Sequence, residues 1–313
     1  MVSIKRILCP VDFSEFSLRA LDRAVAIARS HGASIRALHV AWDPLLEGLM
    51  PYVGREGLEP LNWPKVDREG LLVQLKEFVS GASTGVPVEY SVVEAPKVHE
   101  EIVAQADRIS SDLIVLGTHG RSGFQRLVLG SVAEKVLRTA RQPVLTVPCG
   151  APEALPLGGP AFTRILCATD FSECSRAALH YASSLADSPG AQLTVLHVVE
   201  LGEFLYDPLN TPPLDVRLNR PAYEAVGRAR LEQVIRETLP DRELEQIVST
   251  GRAYQEVLRV ANELKSDLIV LGIHGRNPID RLMFGSTAEP IVRRATCPVL
   301  TVRPHIDAAR AAA

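Results

Sequence analysis

The sequence predicts two α/β domains in tandem, each built on a doubly wound sheet of five parallel strands. Three observations predict this fold class. Short apolar runs alternate with segments of helical periodicity along the chain. A glycine-containing stretch at residues 112–137 occurs again, 155 residues later, at 267–292. The length of 313 residues is also about twice that of a typical domain of about 150 residues.

In the first half, apolar runs predict strands at residues 4–11, 33–40, 88–93, 113–117 and 144–147. Helical spacing predicts helices between them at residues 14–30, 68–79, 98–109 and 131–141. Ser14 is expected to cap the first helix, and Gly32 is expected to end it. Because strands and helices alternate, we expect parallel strands joined by right-handed crossovers.

This alternation is typical of a Rossmann-like fold with the strand order 3-2-1-4-5. In that order the last strand of each domain, at residues 144–147 and 299–302, lies at an edge of its sheet. Exposed edges tend to be covered in proteins. We therefore expect the two last strands to pair with each other, so that one chain is an intramolecular pseudo-dimer.

The domain boundaries follow from the repeat and from a stretch rich in proline and glycine between its two copies. We predict a first domain at residues 1–148, a linker at 149–161, a second domain at 162–304 and a tail at 305–313. Two long Pro-rich segments, 42–67 and 200–221, are expected to be functional or interfacial. If chains associate further into a homodimer, residues 42–63 are the expected contact.

The composition indicates an ordinary globular protein. The net charge is −3 and the hydrophobic fraction is 46%, so no nucleic acid partner is expected. The five cysteines are odd in number and contain no C-x-x-C motif, which argues against a disulfide scaffold or a zinc cluster and favours a reducing compartment. The apolar run at the N-terminus is too short for a signal peptide or a membrane span. A cytoplasmic location without a membrane partner is therefore expected.

The repeated stretch predicts a strand, a glycine loop and a helix in that order. In the first copy the strand ends at Gly117, and Gly120 and Gly130 follow in the loop. Glycines let a ligand approach the main chain closely. Ser131 and Glu134 form an S-x-x-E capping box, which predicts that the helix begins at Ser131 and that its first amides face the loop. Such amides form an anion site suited to phosphate.

An aspartate follows the first strand of each domain, Asp12 and Asp170. In the predicted strand order the first and fourth strands are neighbours, and ligands bind beyond their carboxyl ends. Asp12 and the Gly117 loop would then share a crevice, where the carboxylate can bind a ribose hydroxyl or an adenine amino group. The alternative is a role within the D-F-S sequence as a turn or helix cap.

The spacing G-x-x-G, nine residues, then G-S resembles the universal stress protein family, as do the P-V-D-F-S start and the P-V-L-T-V end. The resemblance covers almost the whole chain, in the tandem form of that family. It implies five-stranded α/β domains that pair through their last strands. It also implies ATP binding where the glycine motif is complete, with Mg²⁺ able to arrive through the phosphate oxygens.

The resemblance also implies site residues. In the first domain, adenine and ribose would lie near Pro10, Val11, Asp12 and the main chain of Val40, and phosphates near Gly117, His119, Gly120, Arg121, Gly130, Ser131 and Val132. The matching positions of the second domain are Ala168, Thr169, Asp170, Val198, Gly272, His274, Gly275, Arg276, Gly285, Ser286 and Thr287. The second domain departs from the pattern at Ala168 and at residues 277–278, and the first at Pro96, where Gly251 follows the pattern. The first site is therefore the stronger candidate.

Simpler interpretations exist for these residues. Ser131 and Ser286 can be helix caps alone. The loop arginines, which are Arg121, Arg126, Arg276 and Arg281, can be solvated surface charges. His39 and His197 are expected to be structural, and His119 and His274 either meet phosphate or metal or are held by the main chain. The remaining histidines show no metal-ligand spacing, and no metal cage of protein ligands is predicted.

Three functions remain open at this stage. The first is an ATP-binding regulatory or stress-response protein. The second is an enzyme, at most a slow ATP hydrolase or a nucleotidyl transferase at the same site. The loops lack a G-K-[ST] lysine, no catalytic residue can be assigned, and enzyme activity is thus not expected. The third is a structural pseudo-dimer without nucleotide, which is disfavoured because both halves keep the loop glycines.

Overall fold

The computed structural model describes residues 2–42, 66–81, 85–118, 129–150, 159–200, 220–275 and 284–304. The chain divides into two compact units, one of residues 4–159 and one of residues 160–313 together with 1–3. They are called the first half and the second half below. In the described ranges, no helix is long and apolar enough to cross a membrane.

The first half contains five strands and four helices in its described part. The strands are β1 (Arg6–Pro10), β2 (Ser34–Trp42), β3 (Val88–Ala95), β4 (Leu113–Gly117) and β5 (Val144–Val147). The helices are α1 (Glu15–His31), α2 (Arg68–Ser80), α3 (Val98–Arg108) and α4 (Ser131–Thr139). The predicted elements are all present, and their ends differ from the predicted ends by at most two residues.

The second half repeats this arrangement. Its strands are β6 (Arg164–Thr169), β7 (Gln192–Val199), β8 (Glu245–Thr250), β9 (Leu268–Gly272) and β10 (Val299–Val302). Its helices are α5 (Glu173–Leu185), α6 (Arg220–Thr238), α7 (Ala253–Glu263) and α8 (Ala288–Arg294). The segment predicted as long and Pro-rich at 200–221 lies almost entirely outside the described residues.

All strand pairs within each half are parallel. The order is β3-β2-β1-β4-β5 in the first half and β8-β7-β6-β9-β10 in the second. The predicted order 3-2-1-4-5 is therefore confirmed in both halves. The expected pairing of the last strands concerns the relation between the halves and stays a prediction. The Pro-rich segment 42–67 lies outside the described residues except for Trp42, Val66 and Asp67. The predicted tail at 305–313 lies entirely outside them.

The ends of α1 are formed as the sequence predicts. Ser14 is the N-cap, and its side chain accepts a hydrogen bond from the main-chain N–H of Ser17. Gly32 ends the helix with a φ of 60°, a left-handed conformation that favours glycine. Ser172 caps α5 in the same way, through the N–H of Ser175. The first turns of α1 and α5 are thereby fixed beside the ends of β1 and β6.

In each sheet an aspartate binds the main chain at the amino ends of the strands, opposite the ends that lead into α1 and α5. Asp112 Oδ2 accepts hydrogen bonds from the main-chain N–H groups of Lys5 and Arg6, each at 2.8 Å. Asp267 likewise accepts from the N–H groups of Thr163 and Arg164, at 2.7 and 2.9 Å. These carboxylates join the amino ends of the first and fourth strands, because both strands begin at that edge. The aspartates of the repeated stretch are thus structural and lie away from the candidate site.

Candidate functional site

The winding of each sheet reverses between its first and fourth strands. β1 pairs directly with β4, with Ile7 opposite Leu113 and Leu8 opposite Ile114. β6 pairs with β9 in the same manner. Both members of each pair are parallel, so their carboxyl ends meet at one edge of the sheet, where ligands of doubly wound folds bind.

Asp12 begins the turn that leads from β1 to α1. Its Oδ1 accepts hydrogen bonds from the main-chain N–H of Ser14, at 3.0 Å, and from the Ser14 hydroxyl. Asp170 Oδ1 accepts from the N–H of Ser172 at the same distance. The turn role anticipated as the simpler alternative is therefore real. This turn uses Oδ1 of the carboxylate. Whether the carboxylate can also bind a ligand depends on where Oδ2 lies.

In the second half the position of Oδ2 is clear. A β-carbon placed on Gly275 would lie 3.1 Å from Oδ2 of Asp170. The carboxylate that follows the first strand is therefore next to the main chain of the glycine loop that follows the fourth strand. Two segments about 105 residues apart share one crevice, as the sequence predicts.

The turn after the first strand is held in an unusual conformation. Phe13 and Phe171 have positive φ angles of 61° and 69°, which cost an ordinary side chain about 1–3 kcal/mol. Their rings pack on His39 and His197, with centroids 4.5 and 4.2 Å apart. Such local strain, repeated in both halves, is typical of functional turns.

The two histidines bind the main chain of the same turn. Nδ1 of His39 lies 2.7 Å from the carbonyl oxygen of Val11, and Nδ1 of His197 lies 2.9 Å from that of Thr169. Since a carbonyl only accepts, each Nδ1 carries the proton and donates. These bonds agree with the expectation that His39 and His197 are structural, because both rings hold the residue that precedes the aspartate.

Gly117 and Gly272 have a packing role that the sequence does not reveal. A β-carbon on Gly117 would lie 3.0 Å from the carbonyl oxygen of Phe16. One on Gly272 would lie 2.7 Å from Cβ of Cys174 and 3.0 Å from the N atom of Ser175. The first turns of α1 and α5 lie directly on these glycines. The interpretation of both positions as loop glycines for a ligand is therefore incomplete, because the helix contact alone requires glycine.

The glycine loop closes on itself where its last glycine returns to the strand end. Gly130 N–H donates to the carbonyl oxygen of Thr118 at 2.7 Å, and Gly285 N–H donates to that of Ile273 at 3.1 Å. A β-carbon on Gly285 would lie 2.5 Å from the same oxygen. Gly285 is thus required by the close approach of two main-chain segments.

The predicted capping boxes are wrong. α4 does begin at Ser131, but its N-cap is Gly130, which has no side chain. α8 begins at Ala288, with Thr287 as N-cap, and the Thr287 side chain forms no cap hydrogen bond. Main-chain hydrogen bonds hold Gly130 and Gly285 at the ends of the preceding strands, and neither helix has its serine as N-cap. The serine side chain is consequently not used as a cap, and both Ser131 and Ser286 are exposed.

A cleft of about 400 Å³ lies beside the exposed Ser131 and Val132 in the first half. It is bounded by the end of β2 at Trp42, by the first turn of α3 and by the first turn of α4. Trp42 is 57% exposed. The basic residues of this cleft are Lys97, His99 and Lys135, which the sequence analysis did not single out. The one sequence signal was the four-residue spacing of Ser131 and Lys135, which places these two residues on the same face of a helix.

His99 is the most enclosed of the basic residues, with 17% of its side chain exposed. Its pKa lies below the usual 6.5 because it is partly buried and because Lys135 and Lys97 repel a proton on the ring. Glu100 acts in the opposite direction and does not outweigh them. Positive charge is therefore concentrated in the cleft, and this charge favours the binding of an anion.

The charge of Lys135 can be tested directly on His99. Lys135→Gln is expected to raise the pKa of His99, since one of the cations that disfavour ring protonation is removed. The measurement is an NMR pH titration of the His99 ring, assigned by the loss of its signal in His99→Gln. Lys76→Gln, which removes an exposed charge from α2, should leave the titration unchanged. An unchanged or lower pKa in Lys135→Gln would contradict this geometry.

The second half has a different set of groups under its glycine loop. Nη1 of Arg303 donates to Nε2 of His274 at 3.0 Å, so this imidazole is engaged by a charged side chain. The main chain of His274 in turn bonds the buried Cys174 thiol, whose pKa is raised by burial. Burial also lowers the pKa of Arg303. His274 is thus engaged by a cation, which makes it a poor ligand for a metal ion.

The structure brings together part of the predicted site. The residues that lie at the carboxyl edge of the first sheet or in its turn are Pro10, Val11, Asp12, Val40, Gly117, Gly130, Ser131 and Val132. In the second sheet they are Ala168, Thr169, Asp170, Val198, Gly272, His274, Gly275, Gly285, Ser286 and Thr287. His119, Gly120, Arg121, Arg126, Arg276 and Arg281 lie outside the described residues, as do residues 277–278.

Two further observations concern side-chain chemistry. All five cysteines are among the described residues, and no disulfide joins them. In the described ranges, no group of three or more histidine, cysteine, aspartate or glutamate side chains is arranged to hold a metal ion.

The fold and the crevice define a tandem pair of doubly wound α/β domains with a candidate ligand site in each. The model of the universal stress protein family matches the chain twice, over residues 3–148 and 161–303. The chain therefore belongs to the universal stress protein family, and the resemblance stated from its motifs is confirmed.

Individual relatives agree with this assignment. A universal stress protein of Mycolicibacterium smegmatis is 26% identical over 307 residues, which cover 96% of this chain and 97% of the relative. One from Methanocaldococcus jannaschii is 35% identical over 145 residues, or 46% of this chain and 81% of the relative. The crystal structure of a universal stress protein from Archaeoglobus fulgidus has the same fold, with a TM-score of 0.63, 23% identity and coverage of 96% and 98%.

Proposed function

We propose that this universal stress protein binds an adenine nucleotide, ATP with Mg²⁺, and that occupancy regulates a cytoplasmic stress response. The observation that carries the proposal is the meeting of Asp170 with the main chain of Gly275 at the strand switch point. A carboxylate beside the main chain of a glycine loop is suited to a nucleoside phosphate, because the carboxylate can accept from hydroxyl or amino groups and loop amides can donate to phosphate. Asp12 begins the same turn in the first half.

The described residues fit such a ligand better in the first half. Ser131 and Val132 are exposed on the first turn of α4 and face a cleft that also contains two lysines. Phosphate groups favour both a helix N-terminus and nearby cations. In the second half, Arg303 supplies the positive charge, but it is turned to His274. We therefore propose the first half as the principal site.

A regulatory role is preferred over catalysis because no nucleophile and base are paired in the described part of the crevice. Asp12 and Asp170 each accept hydrogen bonds from a serine that also caps a helix. Their geometry is that of positioning groups. Slow ATP hydrolysis or nucleotidyl transfer remains the alternative at the same site, and it would require groups beyond these two carboxylates.

Isothermal titration of the full chain tests the proposal. ATP, ADP, AMP and adenosine are titrated separately, with GTP as the control for base recognition. Adenine compounds are expected to bind and GTP to bind more weakly, since the crevice would select the base through the turn that carries Asp12. Heat signals that are the same for ATP and GTP would contradict adenine recognition, and no signal for any of them would contradict the function.

A further inference from the structure

The cleft beside Ser131 combines three features in one place. It is open to solvent, it has a volume of about 400 Å³, and it lies between the first turns of α3 and α4. Ser131 and Val132 form one wall, and Lys97 lies on the other. Ser131, which the sequence analysis assigns to phosphate binding, is thus itself part of the cleft lining.

The charges in the cleft favour an anion. Lys97 and Lys135 are positive, and both act on His99 between them. Glu100 is an opposing charge, and its carboxylate lies 2.9 Å from Nζ of Lys97. This ion pair is more than half exposed on both sides, and such exposed pairs contribute only about 0–1 kcal/mol. A multiply charged phosphate can therefore replace Glu100 as a partner of Lys97 with little loss of free energy.

The second half shows which chemical group this position accepts. Glu200 stands where Trp42 stands in the first half, 158 residues earlier. Its Oε1 accepts a hydrogen bond from the N–H of Ala253, the first residue of α7, at 2.5 Å. A carboxylate oxygen of the protein thus occupies the equivalent helix terminus. In the first half the N-cap of α3 is Lys97, whose own side chain forms no cap hydrogen bond, and the position equivalent to Glu200 is the neutral Trp42.

We propose that the cleft formed by Trp42, Lys97, His99 and Lys135 binds the distal phosphates of a nucleoside polyphosphate. The proposal rests on the function proposed above and deepens it, because it makes the first half selective for triphosphate over monophosphate. In the second half the carboxylate of Glu200 fills the corresponding place and repels phosphate. The two halves of the repeat are therefore unequal in the ligands that they accept.

The double variant Lys97→Gln, Lys135→Gln tests this selectivity in the full chain. At constant ionic strength, its affinity for ATP is expected to fall about 10- to 100-fold, the size expected for losing charged hydrogen bonds. Its affinity for AMP and adenosine should change less than about twofold, because these ligands do not reach the cleft. Lys76→Gln is the control for loss of a charge elsewhere in the first half. Equal losses for ATP and AMP, or no loss for ATP, would overturn the proposal.

Trp42 supplies a second readout that does not depend on adenine. The chain has two tryptophans, so Trp63→Phe leaves Trp42 as the sole one. Sodium tripolyphosphate is expected to change the Trp42 fluorescence saturably, and the lysine double variant in the same background is expected to lose the response.

The two experiments separate the two claims. If adenosine and ATP both fail to bind, the nucleotide function fails and the cleft proposal fails with it; a lysine-dependent tripolyphosphate response would then show an anion site without a nucleotide role. If ATP binds and tripolyphosphate gives no lysine-dependent response, the cleft proposal fails and the nucleotide function stands.

Discussion

Replacing Gly272 by alanine is expected to destabilise the second half by about 1–3 kcal/mol without any ligand present. The added β-carbon would lie 2.7 Å from Cβ and 2.9 Å from the carbonyl carbon of Cys174. Both atoms belong to the first turn of α5, which cannot rotate away as a flexible side chain would. α5 must therefore shift from β9, and the shift also disturbs the turn that begins at Asp170.

The measurement is urea unfolding followed by circular dichroism, with hydrogen exchange of peptides from β9 and α5 to locate the loss. Gly81→Ala is the matched control, since a β-carbon there meets nothing within 4 Å and the residue already has a right-handed helical conformation. Unchanged protection of β9 in Gly272→Ala would contradict the packing role of this glycine.

Replacing Asp12 by asparagine is expected to lower the affinity for adenine nucleotide about 10- to 100-fold. The proposed ligand bond is to a charged carboxylate, and such hydrogen bonds contribute about 1.5–3 kcal/mol. Asparagine keeps an oxygen that can accept from the N–H of Ser14, so the turn into α1 is retained. The loss should therefore appear in calorimetric titration with ATP and only weakly in thermal stability.

Asp170→Asn is the matched variant in the second half, because Asp170 makes the same bond to Ser172. If the first half is the principal site, Asp170→Asn should leave most of the ATP affinity intact. An affinity that is lost in Asp170→Asn and kept in Asp12→Asn would instead assign the nucleotide to the second half.

The sequence predicts the sheet well for a physical reason. A strand buried on both faces must be a continuous apolar run, and the L-I-V-L-G runs that form β4 and β9 are buried as expected. The alternation of such runs with helices leaves few topologies, and 3-2-1-4-5 is one of the common doubly wound orders among them. The caps of α1, at Ser14 and Gly32, are local signals and were also predicted correctly.

The errors arise where distant segments meet. The S-x-x-E pattern at Ser131 is a local signal, but the hydrogen bond between Gly130 and Thr118 decides where the cap lies. The need for glycine at 272 comes from a helix that begins about 100 residues earlier in the chain. No pattern along the sequence contains such contacts.

The basic cleft was missed for a related reason. Its residues come from β2, α3 and α4, and each looks like an ordinary surface residue when taken alone. The comparison of the two copies offers one clue, because Trp42 is replaced by Glu200 and Lys135 by Pro290. From this change of charge at matched positions we hypothesise that the two copies bind different ligands. The titrations described above test this hypothesis.

The most direct test of nucleotide binding is to purify the full chain without added nucleotide, denature it and identify what is released by mass spectrometry. ATP at about one molecule per chain is the expected result for a single principal site, with a clear loss in Asp12→Asn. ADP that accumulates on storage would measure any slow hydrolysis. Release of no nucleotide, together with a melting temperature that saturating ATP does not raise, would contradict nucleotide binding, because a ligand that binds the folded state must stabilise it.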